Sequence, residues 1–102
     1  MLIFTKYKNY VDKLDNKHDL DMWGFDNNLI YRIFQFKDFK QAIEFINNIA
    51  NISEDIGHHP DLFLYDYKFV KVSYKSHEKN KVTQDDYKCA HLVDSIYEDM
   101  YS

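Results

Sequence analysis

The segment Glu54-Asp55-Ile56-Gly57-His58-His59-Pro60-Asp61 sets two adjacent imidazoles and the only proline of the chain among three carboxylates. An imidazole has an unperturbed pKa of about 6.5, so near neutrality it can both give and accept a proton, and a positioned proton transfer is worth roughly 10²–10⁴ in rate. Proline at 60 excludes helical dihedrals for His59 and holds it in β or polyproline geometry. Neighbours on an extended backbone point in roughly opposite directions, so His58 and His59 would reach one small ligand only as wall and floor of a pocket. A third imidazole, His77, follows Ser76 beyond the stretch Phe69 to Tyr74. If Leu62 to Tyr65 and Phe69 to Tyr74 pair as a hairpin, the start of one lies beside the end of the other, and His77 comes near His59.

Three imidazoles together admit three readings. A metal site usually spaces helical ligands at i, i+3 or i, i+4 and strand ligands at i, i+2, which adjacent His-His-Pro fits poorly, so no metal is expected. They could be surface or hydrogen-bonded histidines without chemical consequence. Acid–base catalysis is the third reading, and the fold-determined junction favours it. Glu54 and Asp86 are candidate carboxylates for orienting the imidazoles, although Glu54 also reads as a solvated residue in a last helical turn and Asp86 as a partner of Thr83 in a helix cap.

The elements that must carry these residues are legible from periodicity. A helix is expected from about Asp38 to Asp55, with Phe39, Ala42, Ile43, Ile46, Ile49 and Ala50 at spacings of three and four, Asp38 and Gln41 as a capping box, and Gly57 as the stop. A second should begin near Thr83, where Asp86 has the capping spacing, and run through Cys89, Ala90, Val93, Ile96, Tyr97 and Met100. Tyr7, Tyr10, Val11 and Leu14 suggest a shorter amphipathic helix near the start. Strands are expected at Met22 to Phe25, at Leu29 to Phe36 after the turn residues Asp26-Asn27-Asn28, at Leu62 to Tyr65, and at Phe69 to Tyr74, the last two joined through Asp66-Tyr67. The order αββαββα predicts an α+β fold with a four-stranded antiparallel sheet covered on one face by helices. Leu29, Tyr31 and Ile33 fall on one face of their strand and Ile30, Phe34 and Phe36 on the other, so the uncovered face is also apolar, which suggests self-association.

Composition narrows the function. With 102 residues, 45% hydrophobic and 18% aromatic, the chain is read as a single domain, 1–102, whose core is built largely from rings. A net charge of −4 with Arg32 as the only arginine disfavours direct nucleic-acid binding, since the guanidinium forks that read guanine and grip phosphate are nearly absent. The lone Cys89 can form no internal disulfide and suits a reducing compartment. No apolar run approaches the roughly 20 residues of a membrane span. Met1 to Phe4 is too short for a secretory signal and lacks its basic start; with Lys6 and Lys8 behind, it would at most be the remnant of a targeting segment. A cytoplasmic protein is expected, with the nucleus as a second location.

The ordered set Glu54, His58-His59-Pro60, Tyr65 or a nearby ring, Ser76-His77-Glu78 and Asp86 resembles the signature of the pterin-4a-carbinolamine dehydratases. Phe34 to Ile46, with the sequence FQFKDFKQAIEFI, is similar to that family's strand and helix entry, and Gly24-Phe25 stands where it commonly has Gly-Trp. The match runs from about Gly24 to Tyr97. Leu62 departs from a common Trp, and the stretch from Pro60 to His77 is one residue longer than usual, which the hairpin turn near Asp66 would absorb. The resemblance implies removal of water from a 4a-hydroxytetrahydropterin to give quinonoid dihydropterin, in tetrahydrobiopterin recycling, without metal or organic cofactor. It implies His58, His59 and His77 as the catalytic set, with His59 and His77 foremost for proton transfer. His58, His59, Pro60, Ser76, His77, Glu78 and Lys79 would hold the pterin. His18 and His91 match nothing in the signature and are read as structural or surface residues. The resemblance also implies a homodimer or homotetramer. It leaves two further roles open: a dimerisation cofactor of a homeodomain transcription factor, and a catalytically silent pterin binder.

Overall fold

The computed structural model describes residues 20–75 and 81–101. Within them the order is β1 (Gly24–Asp26), β2 (Leu29–Gln35), α1 (Phe39–Ile56), β3 (Asp61–Tyr65), β4 (Phe69–Tyr74) and α2 (Gln84–Tyr101). The four strands form one antiparallel sheet in the order β1-β2-β4-β3, as expected for an α+β fold with helices on one face. The expected helix at Tyr7 to Leu14 lies outside the described residues. No helix among the described residues is long and apolar enough to cross a membrane.

Strict alternation sets which strand residues face the helices. Ile30 and Phe34 of β2 and Val70, Val72 and Tyr74 of β4 are buried, and in the register Ile30 opposes Tyr74 while Phe34 opposes Val70. Against them pack Ala42, Phe45 and Ile49 of α1 and Cys89, Ala90 and Val93 of α2. The ring-rich composition condenses here: the Phe34 ring lies 4.8 Å from both Phe45 and Tyr97, and Phe36 lies 4.9 Å from Phe45.

Helix α1 starts where Asp38 adopts extended dihedrals and its carboxylate accepts the Gln41 backbone N–H at 2.8 Å. It stops at Gly57, whose N–H closes the last helical bond to the Ser53 carbonyl at 2.8 Å and whose left-handed φ of 80° then turns the chain out of the helix. The buried stripe is Ala42, Phe45, Ile49 and Ser53, narrower than the set expected from spacing and turned toward Phe45 and Ser53, which that set lacks. Ile46 packs partly buried against the core, while Phe39 and Ala50 are turned to solvent.

The first strand also departs from expectation. Spacing predicts Met22 to Phe25, but Leu20 to Trp23 make a turn closed by the Trp23 N–H to the Leu20 carbonyl at 3.0 Å, so the strand runs from Gly24 to Asp26 and Met22 is exposed. Gly24 pairs with Tyr31, whose ring lies so close that a Cβ on residue 24 would meet it at 2.7 Å. The Trp23 indole N–H reaches across to Asp94 of α2 at 2.9 Å, and Arg32 Nη1 donates to the same carboxylate at 2.7 Å. The Arg32 guanidinium also sits 4.3 Å over the Phe34 ring, so the one arginine of the chain is spent in fastening β2 to α2. Burial pushes the Asp94 carboxyl above its ordinary pKa against the opposing pull of Trp23 and Arg32.

The uncovered face carries Ile33 and Phe63, both exposed, with the rings of Phe63, Tyr65 and Phe69 stacked in succession at 5.3 Å. The β3–β4 turn places two consecutive non-glycine residues, Asp66 and Tyr67, in the left-handed region, with φ of 47° and 55°. A left-handed dihedral costs a non-glycine residue about 1–2 kcal/mol, while glycine gives back roughly 0.5–1 kcal/mol in chain entropy. Tyr67→Gly is therefore expected to stabilise the protein by about 0.5–1 kcal/mol, read as a rise in the urea midpoint at unchanged slope.

Candidate active site

The junction between α1 and β3 delivers the paired histidines. Gly57 ends the helix, Pro60 enforces extension, and β3 begins at Asp61 opposite Ser73 of β4. His58 and His59 accordingly part in opposite directions. His58 turns inward to α2, where its Nε2–H donates to Asp86 Oδ1 at 2.6 Å. His59 turns outward, and its Nε2 meets Glu54 Oε2, in the last turn of α1, also at 2.6 Å. The inward pair is sheltered, with the His58 side chain 26% exposed and Asp86 0%, whereas the outward pair is largely in solvent, at 58% and 76%.

Asp86 is bound from both sides. Its Oδ2 accepts the Thr83 backbone N–H at 2.8 Å and the Thr83 hydroxyl at 3.2 Å, which starts α2, while Oδ1 holds His58. The two alternatives left open for Asp86 in the sequence, helix cap and orienter of an imidazole, are thus one carboxylate serving both. Burial opposes its ionisation, but the hydrogen bonds from His58 and Thr83 together hold its carboxyl below the ordinary value. His58 moves the other way: the hydrogen bond to Asp86 raises its pKa against the contrary effect of burial, and the nearby charges of Asp86 and Asp85 add to the rise. An ionised Asp86 can only accept, so the proton of the shared bond resides on His58 Nε2.

The His58 ring lies parallel to that of Tyr74, 5.7 Å centroid to centroid with 4° between planes. Its edge lines a cavity of about 200 Å³ shared with Gly57, Lys88, Cys89 and Leu92. Burial pushes the Cys89 thiol up to about 12, so it is no nucleophile at neutral pH. His91 is buried on α2, on the side of Asp94. Ser76, His77, Glu78 and Lys79, together with His18, lie outside the described residues. Among the described residues no group of three or more His, Cys, Asp or Glu side chains is placed to hold a metal ion.

The Tyr74 stack is absent from the sequence reading. Alternation marks Tyr74 as facing the helices, but nothing in the sequence says which ring it will meet. Only the β2–β4 register and the exit angle of α1 bring His58 onto it.

An α+β sheet with paired histidines at the helix-to-strand junction defines a class with known members. The sequence profile of the pterin 4 alpha carbinolamine dehydratase family matches residues 8–96, and the chain belongs to that family. A relative from Sulfolobus acidocaldarius, provisionally named a pterin-4-alpha-carbinolamine dehydratase, is 32% identical over 78 residues, covering 76% of this chain and 85% of its own. One of the same provisional name from Legionella pneumophila (strain Corby) is 35% identical over 92 residues, covering 90% and 78%. A crystal structure from Brucella melitensis, described as a transcriptional coactivator/pterin dehydratase, superposes with a TM-score of 0.70 at 31% identity, over 89% of this chain and 93% of its own. A pterin dehydratase-like protein identified as a RuBisCO assembly factor in the alpha-carboxysome shares the fold at a TM-score of 0.60 and 19% identity, over 72% and 84%.

The shifts of the inward pair carry a pH signature. The His58 pKa is raised above 6.5, so its contribution to stability is complete below pH 6.5 and is lost as pH rises through the raised value. The Asp86 pKa is lowered below 3.8, so its contribution is complete above pH 3.8 and is lost as pH falls through the lowered value. The stability gap between the wild type and His58→Gln should be greatest near pH 5–6, at about 1–2 kcal/mol, and should narrow toward pH 9 and below pH 3. Denaturant unfolding across that range is the measurement.

Proposed function

We propose that the protein is a 4a-hydroxytetrahydropterin dehydratase working by histidine general acid–base catalysis. The reaction breaks two bonds, C4a–O and N5–H. The N5 lone pair closes a C4a=N5 double bond as the 4a-hydroxyl departs, one proton joins the leaving oxygen to make water, and one proton is taken from N5. Nothing is oxidised or reduced, and the product is the quinonoid dihydropterin that a reductase can recycle.

In this reading His59 and His77 carry the two proton transfers, and His58 completes the set. Backbone and side chains at His58 to Pro60 and at Ser76 to Lys79 grip the edge of the flat heterocycle. The observation that supports it best is the pair of 2.6 Å imidazole–carboxylate contacts, His58 with Asp86 and His59 with Glu54, built at one junction in a chain of this family. Carboxylates that fix tautomer and ring orientation are what proton transfer requires. A pure interaction module has no use for them, and the dehydratase reading is preferred over a dimerisation cofactor for that reason.

His59→Ala and His77→Ala are each expected to lower turnover by about 10-fold or more while the fold is retained. The assay forms the carbinolamine in situ with an aromatic amino acid hydroxylase and follows the quinonoid product by stopped-flow absorbance. A folded wild-type protein that does not accelerate the spontaneous reaction overturns the reading.

The same proposal includes a homo-oligomer formed through the uncovered face of the sheet, where Ile33, Phe63, Tyr65 and Phe69 gather. Ile33→Lys with Phe63→Lys is expected to reduce the molar mass seen by light scattering to that of one chain. An unchanged mass places the contact elsewhere.

A further inference from the structure

Asp86 holds one end of the His58 imidazole, and one hydrogen bond leaves a ring free to pivot about it. The second restraint is Tyr74. It lies on β4, one of the two central strands of the sheet, opposite Ile30, is only 3% exposed, and is walled by Ser53 of α1 and Cys89 of α2. A ring so enclosed cannot follow a pivoting neighbour, so an imidazole held parallel to it at 4°, offset with 5.7 Å between centroids, is restrained in plane as well as in direction. We propose that Tyr74 is a positioning residue for catalysis: its face and the Asp86 carboxylate together hold His58 in one orientation that presents Nδ1 toward the substrate. This rests on the dehydratase reading above.

The choice of ring has an electrostatic consequence. The face of an aromatic ring is negative, and a cation over it is favoured. Burial keeps the Tyr74 hydroxyl well above its ordinary pKa, so the ring stays neutral wherever His58 titrates. The other groups that face His58 are Asp86, Asp85, Lys88 and Cys89, all from α2, while Glu54 of α1 is engaged with His59. Of these Cys89 also borders Tyr74, and its thiol, pushed up to about 12, stays neutral where His58 titrates. The buried Ser53 hydroxyl approaches the Tyr74 hydroxyl and opposes the rise of its pKa, but outside full hydrogen-bond geometry, so removal of the phenol oxygen loses one weak polar contact.

The test compares Tyr74→Leu, which keeps apolar bulk and loses the aromatic face, with Tyr74→Phe, which keeps the face and loses the oxygen. The His58 ring is followed by NMR titration in each protein, and turnover is measured separately. In Tyr74→Leu the His58 pKa should fall by about half a unit, as expected for loss of a cation–π contact, and kcat should fall about 3- to 10-fold with KM within about 2-fold. Tyr74→Phe should stay within about 2-fold of wild type in kcat and share its His58 titration. An unchanged His58 titration in folded Tyr74→Leu overturns the proposal, as does equal loss in both variants. If Tyr74→Leu does not fold, the wild type still decides: parallel rings with centroids 5.7 Å apart bring their carbon-bound protons within range of a nuclear Overhauser effect, and its absence overturns the stack. A His58 pKa that responds to Tyr74 in a protein whose wild type has no dehydratase activity would instead overturn the function and leave the clamp standing.

Discussion

A single fully buried carboxylate, Asp86, has no route to solvent and must find all its donors inside the protein. An ionised group in that position is tolerable only when hydrogen-bonded on several sides, because the desolvation penalty is otherwise several kcal/mol. Thr83 supplies the donors on one side and His58 on the other. The start of α2 and the end of α1 are consequently fastened to the same two oxygens. The cap travels with α2, but any displacement of the helix along its axis would strand the imidazole, which makes the position of His58 a property of the whole helical layer.

The sheet supports that arrangement from beneath. Ile30, Phe34, Val70, Val72 and Tyr74 form the floor on which both helices rest, and the rings of Phe45 and Tyr97 close over Phe34. Two turns further along α2, Asp94 receives Trp23 and Arg32, so the helix is fastened to the α1–β3 junction at Asp86 and to the sheet at Asp94. The two anchors differ in kind. Asp94 is bonded to a permanent cation and an indole and performs a structural task, whereas Asp86 is bonded to a titratable imidazole whose pKa it raises.

The two adjacent histidines illustrate how one dipeptide acquires two environments. His58 enters the protein, meets a buried carboxylate and lies parallel to a tyrosine ring; His59 faces water with an exposed glutamate from the preceding helix. Extended backbone at a proline makes neighbours diverge, and the layer on one side only makes the divergence one of burial. A substrate approaching this junction would meet one restrained imidazole and one accessible one. The two imidazoles of one dipeptide therefore differ in both freedom and exposure.

How much of this was present in the order of amino acids can be judged from particular residues. The strand alternation around Phe34 and Val72, the Asp38 cap, the Gly57 stop and the Thr83–Asp86 spacing are local signals, since each depends on dihedral preference or hydrogen bonds within a few residues. His58-His59-Pro60 declared its geometry for the same reason, and the ordered motif declared the family. The narrow stripe of α1, the late start of β1 at Gly24, the joining of Trp23 and Arg32 on Asp94, and the Tyr74 ring beneath His58 were not legible. Each is a meeting of residues far apart in the chain, settled by how α1 and α2 lie on the sheet. The sequence by itself determined which groups could exchange protons and which elements would carry them. Only the tertiary structure decided which carboxylate and which ring each imidazole meets, because those contacts depend on packing between layers, for which no local pattern exists.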